Sequence, residues 1–322
     1  MTTSSTRKGL ARAVGSGALS TLLVFSTAGP AHAESVRSHQ WYLTAMQAEA
    51  MWKISTGKGI TVAVIDSGIN TSNPDLQGQI LKGKDFALKV PGDEWTDFNG
   101  HGTGMAGLIA GTGESRGGDG AFGLAPGVKI LPVRVPDDAA NLEEDNKQFN
   151  TMVPAAIRYA ADRGARVINI SLASSEGSQQ MMDAVKYALD KGSLIFAGVG
   201  NDGAEVNLTK YPAATPGVVG VGAIGKNLKK TPESQYGWYV DLSAPGDEMI
   251  HACQGVRSDL CKSHGTSDAT ALASASAALI WSKHPDWTNN QVLRVMLNTA
   301  SGPTSGAERN DYVGYGAVRP GA

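Results

Sequence analysis

Residues 60–69 read Ile-Thr-Val-Ala-Val-Ile-Asp-Ser-Gly-Ile. The apolar, β-branched run Ile60–Ile65 ends on a carboxylate, Asp66, and then on a glycine that lets the chain turn. Such a run is expected of a strand buried on both faces, delivering its acid at the carboxyl edge of a parallel sheet. Four more runs of the same kind follow, at Val128–Val135, Arg166–Ile170, Ser193–Val199 and Val218–Ala223. Helical patterns separate them: Met152–Arg163 stops at Gly164 and Gln179–Lys191 stops at Gly192, each with glycine just past the last turn. Thr288-Asn-Asn-Gln291 spells a capping box for a helix through Leu297. Strand and helix in alternation imply an α/β domain, with a mainly parallel central sheet covered by helices on both faces. No internal repeat is visible.

The 322-residue chain is 41% hydrophobic and 18% charged, a globular composition with an unusual 40 glycines. Residues 1–33 read as a secretory signal: Arg7, Lys8 and Arg12, an apolar stretch around Leu19–Phe25, and a cleavage site at Ala31-His32-Ala33. The stretch is too short and broken for a membrane anchor, so cleavage after Ala33 is expected, with residues 34–58 as a lead-in to the domain 34–322. Removing residues 1–33 leaves 25 basic against 30 acidic residues, which argues against nucleic acid or an anionic membrane as partner. No later segment is apolar and long enough to span a bilayer. In an exported protein Cys253 and Cys261 can pair; two unpaired thiols are the alternative, and their spacing fits no zinc or redox motif.

Three distant segments carry chemistry. Asp66, by itself, could be an ordinary turn or capping aspartate. His101 opens the glycine-rich His-Gly-Thr-Gly-Met-Ala-Gly and is placed at a helix start. Ser267, after Gly265-Thr266, starts a helix whose Ala269, Ala271, Ala273, Ala275, Ala277 and Ala278 make it small-sided nearly all round. That suits a helix pressed against a sheet. A serine there has a free backbone N–H for a developing oxyanion, and a histidine would be its base. Asn201, in Gly-Val-Gly-Asn-Asp-Gly, could donate a second bond, although Asn-Asp-Gly is also an ordinary turn. The acid, histidine and serine occur in the chain order of one known triad arrangement.

Together these segments resemble the subtilisin-like serine peptidases, from about Trp41 to Gly316. The mycosin-like secretion-associated branch is the most similar, on the lead-in from Trp41 to Ile69 and on Gly104, where many subtilisins carry a second histidine. The resemblance implies a triad of Asp66, His101 and Ser267 with Asn201 at the oxyanion. It also implies a substrate-binding strand at Ser171, Leu172 and Ala173, and an opposite pocket wall at Gly198, Val199 and Gly200. Some departures stand out. The residues between Ala33 and Gly59 are too few for the family's inhibitory pro-domain, and the chain stops at Ala322 without the anchor common in mycosins. Ala271 replaces the usual proline, and Asp268 directly follows the serine, where its charge is expected to slow acylation slightly. Ala173 and Val199 should narrow the pocket. Asp202 and the stretch Asp137, Asp138, Glu143, Glu144, Asp145 should attract basic residues nearby, unless that stretch is simply a solvated loop. The chemistry needs no cofactor; calcium is a family habit, but Asp93, Glu94 and Asp97 match no EF-hand and no metal site is assigned.

The expectation is therefore a secreted, monomeric serine endopeptidase acting on polypeptides through an acyl-enzyme, with a secretion-system partner suggested by the mycosin likeness. Two rivals stand beside it: a peptidase-like protein that binds peptide without cutting, and an esterase or self-processing protein with little activity in trans. A dedicated processing protease of a secretion system is the narrower variant of the main reading.

Overall fold

The computed structural model describes residues 35–136, 142–253 and 260–321. The signal-like segment 1–33 lies outside them, as do Asp137, Asp138 and the side chains of Glu143, Glu144 and Asp145.

Seven parallel strands form the central sheet in the order β2-β3-β1-β4-β5-β6-β7. They are β1 (Thr61–Asp66), β2 (Lys84–Asp85), β3 (Lys129–Arg134), β4 (Val167–Ile170), β5 (Leu194–Gly198), β6 (Val218–Ile224) and β7 (Leu242–Pro245). The five expected strands are present, each within a residue or two of its expected bounds. Residues within a strand alternate between two cores, as a pleated strand requires. Val62 and Val64 of β1 pack on one face, with the helices His101–Ala110 and Thr266–Lys283. Ala63 and Ile65 pack on the other, with the helices Leu142–Asp162 and Gln179–Asp190. Two apolar layers on one strand explain why Ile60–Ile65 shows no polar alternation.

β1 pairs with β3 on one side and β4 on the other, so the strand order reverses there. Open parallel sheets gather ligand-binding groups at the carboxyl ends of strands beside such a reversal. Asp66 is the last residue of β1, Ser171 follows β4, and Asn201 lies just beyond β5. The alanine-rich helix lies against β4, β5, β6 and β7. Its small side chains allow that close approach, and all but a few of its residues are buried.

A two-stranded antiparallel hairpin, β8 (Met249–Ala252) and β9 (Leu260–Ser263), stands beside the sheet. A disulfide joins Cys253 to Cys261, with Cα atoms 5.1 Å apart. The helix expected at Met152–Arg163 is longer, Leu142–Asp162, and runs through Pro154. Proline removes one N–H donor but not the flanking turns, so its presence near the expected start did not mark a boundary. The capping box at Thr288 and Gln291 is complete in both directions. The lead-in Ser35–Trp52 folds as three short helices whose Tyr42, Leu43, Met46 and Met51 enter the main core.

Candidate active site

His101 and Asp66 meet directly: the ring Nδ1 lies 2.7 Å from Asp66 Oδ1. Asp66 is fully buried, while the His101 side chain is about one-third exposed. A buried carboxylate on Nδ1 holds that nitrogen as the proton donor and leaves Nε2 as the base facing the cleft. The Ser67 N–H donates to the same Asp66 oxygen at 2.8 Å. The two elements can come this close because Gly102 has no side chain; a Cβ there would lie 2.1 Å from the Gly68 carbonyl oxygen.

The histidine helix is held at its start by Asp97. Its Oδ1 accepts the Gly100 N–H at 2.9 Å, and its Oδ2 accepts the N–H and hydroxyl of Thr103 at 2.9 and 2.6 Å. Ser67 Oγ donates to Asp97 Oδ1 at 2.9 Å and accepts the Gly102 N–H at 3.0 Å. Asp97, considered above with calcium loops, is a buried helix cap. Among the described residues no group of three His, Cys, Asp or Glu side chains could hold a metal ion.

Ser267 is the second residue of the helix Thr266–Lys283. Its hydroxyl donates to the Ser171 carbonyl at 3.2 Å, and the Ser171 hydroxyl donates back to the Ser267 carbonyl at 3.3 Å. Asn201 is locked by Thr266: its Oδ1 accepts the Thr266 N–H at 2.9 Å and the Thr266 hydroxyl at 3.1 Å. That fixes the amide so that Nδ2 is left to donate elsewhere. The Ser267 backbone N–H, in the first helical turn, is likewise unspent. Two such donors, one of them at a helix N-terminus, can hold a carbonyl oxygen as it gains charge.

His101, Ser171, Leu172, Ala173, Gly198, Gly200, Asn201, Thr266 and Ser267 line one cleft of about 390 Å³. Val199 does not. It is fully buried in the opposite core, because strand alternation turns its side chain away from the cleft that Gly198 and Gly200 face. Its expected narrowing of the pocket is therefore corrected; Ala173 alone of that pair reaches the cleft. Asp202 is at the rim as expected, but Lys210 Nζ pairs with it at 2.8 Å, so this carboxylate does not leave the rim acidic. Asp268 is only 1% exposed and turns inward, accepting a bond from the Ser263 hydroxyl.

The family model for the subtilase family matches residues 57–316. The chain belongs to the subtilase family. This subtilase is 36% identical to subtilisin BL of Lederbergia lenta over 267 residues, which is 82% of the chain and 92% of that protein. It is 35% identical, over 83% of its length, to a thermophilic serine proteinase of Bacillus sp. (strain AK1), and spans 62% of that protein. Its structure is similar to that of the MycP3 protease from the type VII (ESX-3) secretion system, with a TM-score of 0.75 and 30% identity over 87% of this chain and 86% of that one.

Sequence reasoning missed a buried polar line under the nucleophile. Ser274 Oγ donates to Asn169 Oδ1, and Asn169 Nδ2 donates to Ser171 Oγ, both at 3.0 Å. Asn169, inside an apolar strand, was the available signal: a polar residue there needs a partner. This line ties β4 to the serine helix and sets where Ser171 presents its carbonyl to Ser267.

Proposed function

We propose that this subtilase is an exported serine endopeptidase that cleaves peptide bonds through an acyl-enzyme. Asp66, His101 and Ser267 form the triad. His101 Nε2 takes the Ser267 proton, Asp66 orients the ring and stabilises the imidazolium, and the Ser267 N–H and Asn201 Nδ2 bind the oxyanion. The observation that carries this reading is the 2.7 Å His101–Asp66 contact at the mouth of the cleft that also holds Ser267 and Asn201. In this scheme the Ser267 hydroxyl leaves the Ser171 carbonyl and rotates to His101 as substrate enters.

Cleavage after Ala33 would release the domain beyond the cytoplasmic membrane. Among the described residues no helix is long and apolar enough to cross a membrane. The cleft favours a small, uncharged residue beside the scissile bond, because Ala173 projects into it and the Asp202 charge is matched by Lys210. The likeness to a protease of a type VII secretion system supports a narrower reading, in which the substrate is a component of such a machinery.

The test is Ser267→Ala. Peptide hydrolysis and fluorophosphonate labelling should vanish while the circular dichroism spectrum is retained; undiminished hydrolysis would sink the triad. Mass spectrometry of products from a mixed peptide pool reads the substrate class. Cleavage mainly after large aromatic residues would contradict the pocket reading, and cleavage of a single sequence would favour a dedicated role.

A further inference from the structure

A second set of buried ionisable groups lies behind the nucleophile, and the triad does not use it. His251, on β8, is 5% exposed; Asp268, the residue after Ser267, is 1% exposed. Ser263, on β9, bridges them. Its Oγ is 2.9 Å from His251 Nε2 and donates to Asp268 Oδ1. His251 Nδ1 lies 2.8 Å from the Ala252 carbonyl oxygen, which can only accept, so that nitrogen carries a proton.

The histidine is built into the catalytic scaffold. A Cβ at Gly104, one turn along the His101 helix, would lie 2.6 Å from His251 Cε1. The imidazole occupies the space a side chain there would need. From the lead-in, Tyr42 Oη and Gln40 Nε2 both donate to the Ile250 carbonyl, at 2.6 and 3.1 Å, and fix the peptide that carries the ring.

We infer that His251, Ser263 and Asp268 form a hydrogen-bonded relay holding one shared proton, which keeps the carboxyl next to the nucleophile from presenting charge to Ser267 and His101. His251 and Ser263 are thus positioning residues, and the inference rests on Ser267 and His101 being nucleophile and base. Two arrangements satisfy every bond. In one, His251 Nε2–H donates to Ser263 Oγ, whose proton is donated to an ionised Asp268. In the other, protonated Asp268 donates to Ser263 Oγ, whose proton is donated to neutral His251. They differ by one proton passed across the hydroxyl, and the pair is net neutral in both.

Burial opposes the charged form of each partner, raising the Asp268 carboxyl and lowering the His251 imidazole from their ordinary values. Among the described residues, the charged and titratable groups that act on the pair are the two partners themselves and His101 from its own helix, with Tyr42 of the lead-in facing Asp268 and Arg37 acting on Tyr42. Burial holds the Tyr42 phenol protonated. An acid beside the nucleophile is therefore compatible with oxyanion formation, because its proton is retained within the relay.

The experiment compares kcat/KM against pH for wild type, His251→Gln, Asp268→Asn and the double variant. Loss of His251 should expose the titration of Asp268 to the site. The His251→Gln profile should gain an ionisation, displacing a limb by about half a pH unit or more, and Asp268→Asn added to it should remove the displacement. Superimposable wild-type and His251→Gln profiles, or a displacement that persists in the double variant, would overturn the relay. Should His251→Gln fail to fold, Ser263→Ala cuts the bridge while leaving both ionisable groups, with the same outcomes expected. A readout free of activity is ring 15N NMR of the Ser267→Ala protein: His251 should not titrate between about pH 5 and 9, and an ordinary imidazole midpoint would refute the inference. Peptide hydrolysis retained by Ser267→Ala would instead count against the triad itself.

Discussion

Thr266 shows how one hydroxyl can hold in place a neighbouring amide, the oxyanion donor of the proposed mechanism. It holds Asn201 Oδ1 through both its N–H and its hydroxyl, and its oxygen also accepts the Gly200 N–H at 3.3 Å. Thr266→Val keeps the shape and the backbone bond but frees half of that grip. Losing a bond worth about 1–1.5 kcal/mol at the step where the oxyanion forms should lower kcat about tenfold, with KM nearly unchanged. Asn201→Ala removes the donor itself and should lower kcat by about 10²–10³, a magnitude measured in subtilisin rather than obtained from this geometry. Steady-state kinetics on one peptide checks both; a Thr266→Val loss confined to KM would mean that the hydroxyl serves substrate binding instead. At this scale Asp66, His101 and Ser267 were legible as candidates only together, through their order and local settings, because each alone has ordinary structural uses; the structure brings Asp66 and His101 into contact and places His101 and Ser267 on one cleft. The sequence misled at Val199 because three neighbours in sequence do not make one wall: period-two alternation places Val199 opposite Gly198 and Gly200. Asp202 misled because its neutralising partner, Lys210, is supplied by the fold.

The His101–Ala110 helix is a poor helix by composition. Gly102, Gly104 and Gly107 each cost about 1 kcal/mol relative to alanine in a helix interior. The glycines let it approach Asp66 and the His251 ring, so its stability must come from outside the segment. Asp97 supplies much of it, accepting two backbone N–H groups and two hydroxyls from a buried position. Asp97→Ala would leave those donors without a partner and should destabilise the protein by about 2–4 kcal/mol. Urea unfolding in the Ser267→Ala background, where autolysis does not interfere, reads this directly; a change below about 0.5 kcal/mol would mean that water replaces the carboxylate without cost. The five strands built on apolar runs and the complete capping box were legible because apolar runs and Thr-x-x-Gln have strong local signatures. β2 has two residues, β7 ends in proline, and β8 and β9 are four-residue strands of mixed polarity. Those four exist because neighbours pair with them, which a local pattern does not display.

Across the whole molecule, the lead-in is the part whose importance is least visible from the family match, which begins at residue 57. Tyr42, Leu43, Met46 and Met51 all sit in the core shared with the helices that carry His101 and Ser267. Gln40 donates from Nε2 to the Phe122 carbonyl at 2.8 Å and accepts the Phe122 N–H at 3.1 Å. Trp41 Nε1 reaches the Asp247 carbonyl at 2.8 Å, and Trp52 Nε1 the Leu124 carbonyl at 2.9 Å. Burying the four large apolar side chains contributes on the order of 6–12 kcal/mol, before the entropy of ordering the segment is subtracted. That is comparable with the whole stability of a typical domain. A chain beginning at Glu34 should therefore fold cooperatively, whereas one beginning at Gly57 should expose the His101–serine helix seam and fail to give a cooperative thermal transition. Calorimetry of the two, both carrying Ser267→Ala, decides it. If the shorter chain melts within about 5 °C of the longer, the lead-in is an accessory strap, and the Tyr42 and Gln40 bonds to Ile250 do not set the position of His251.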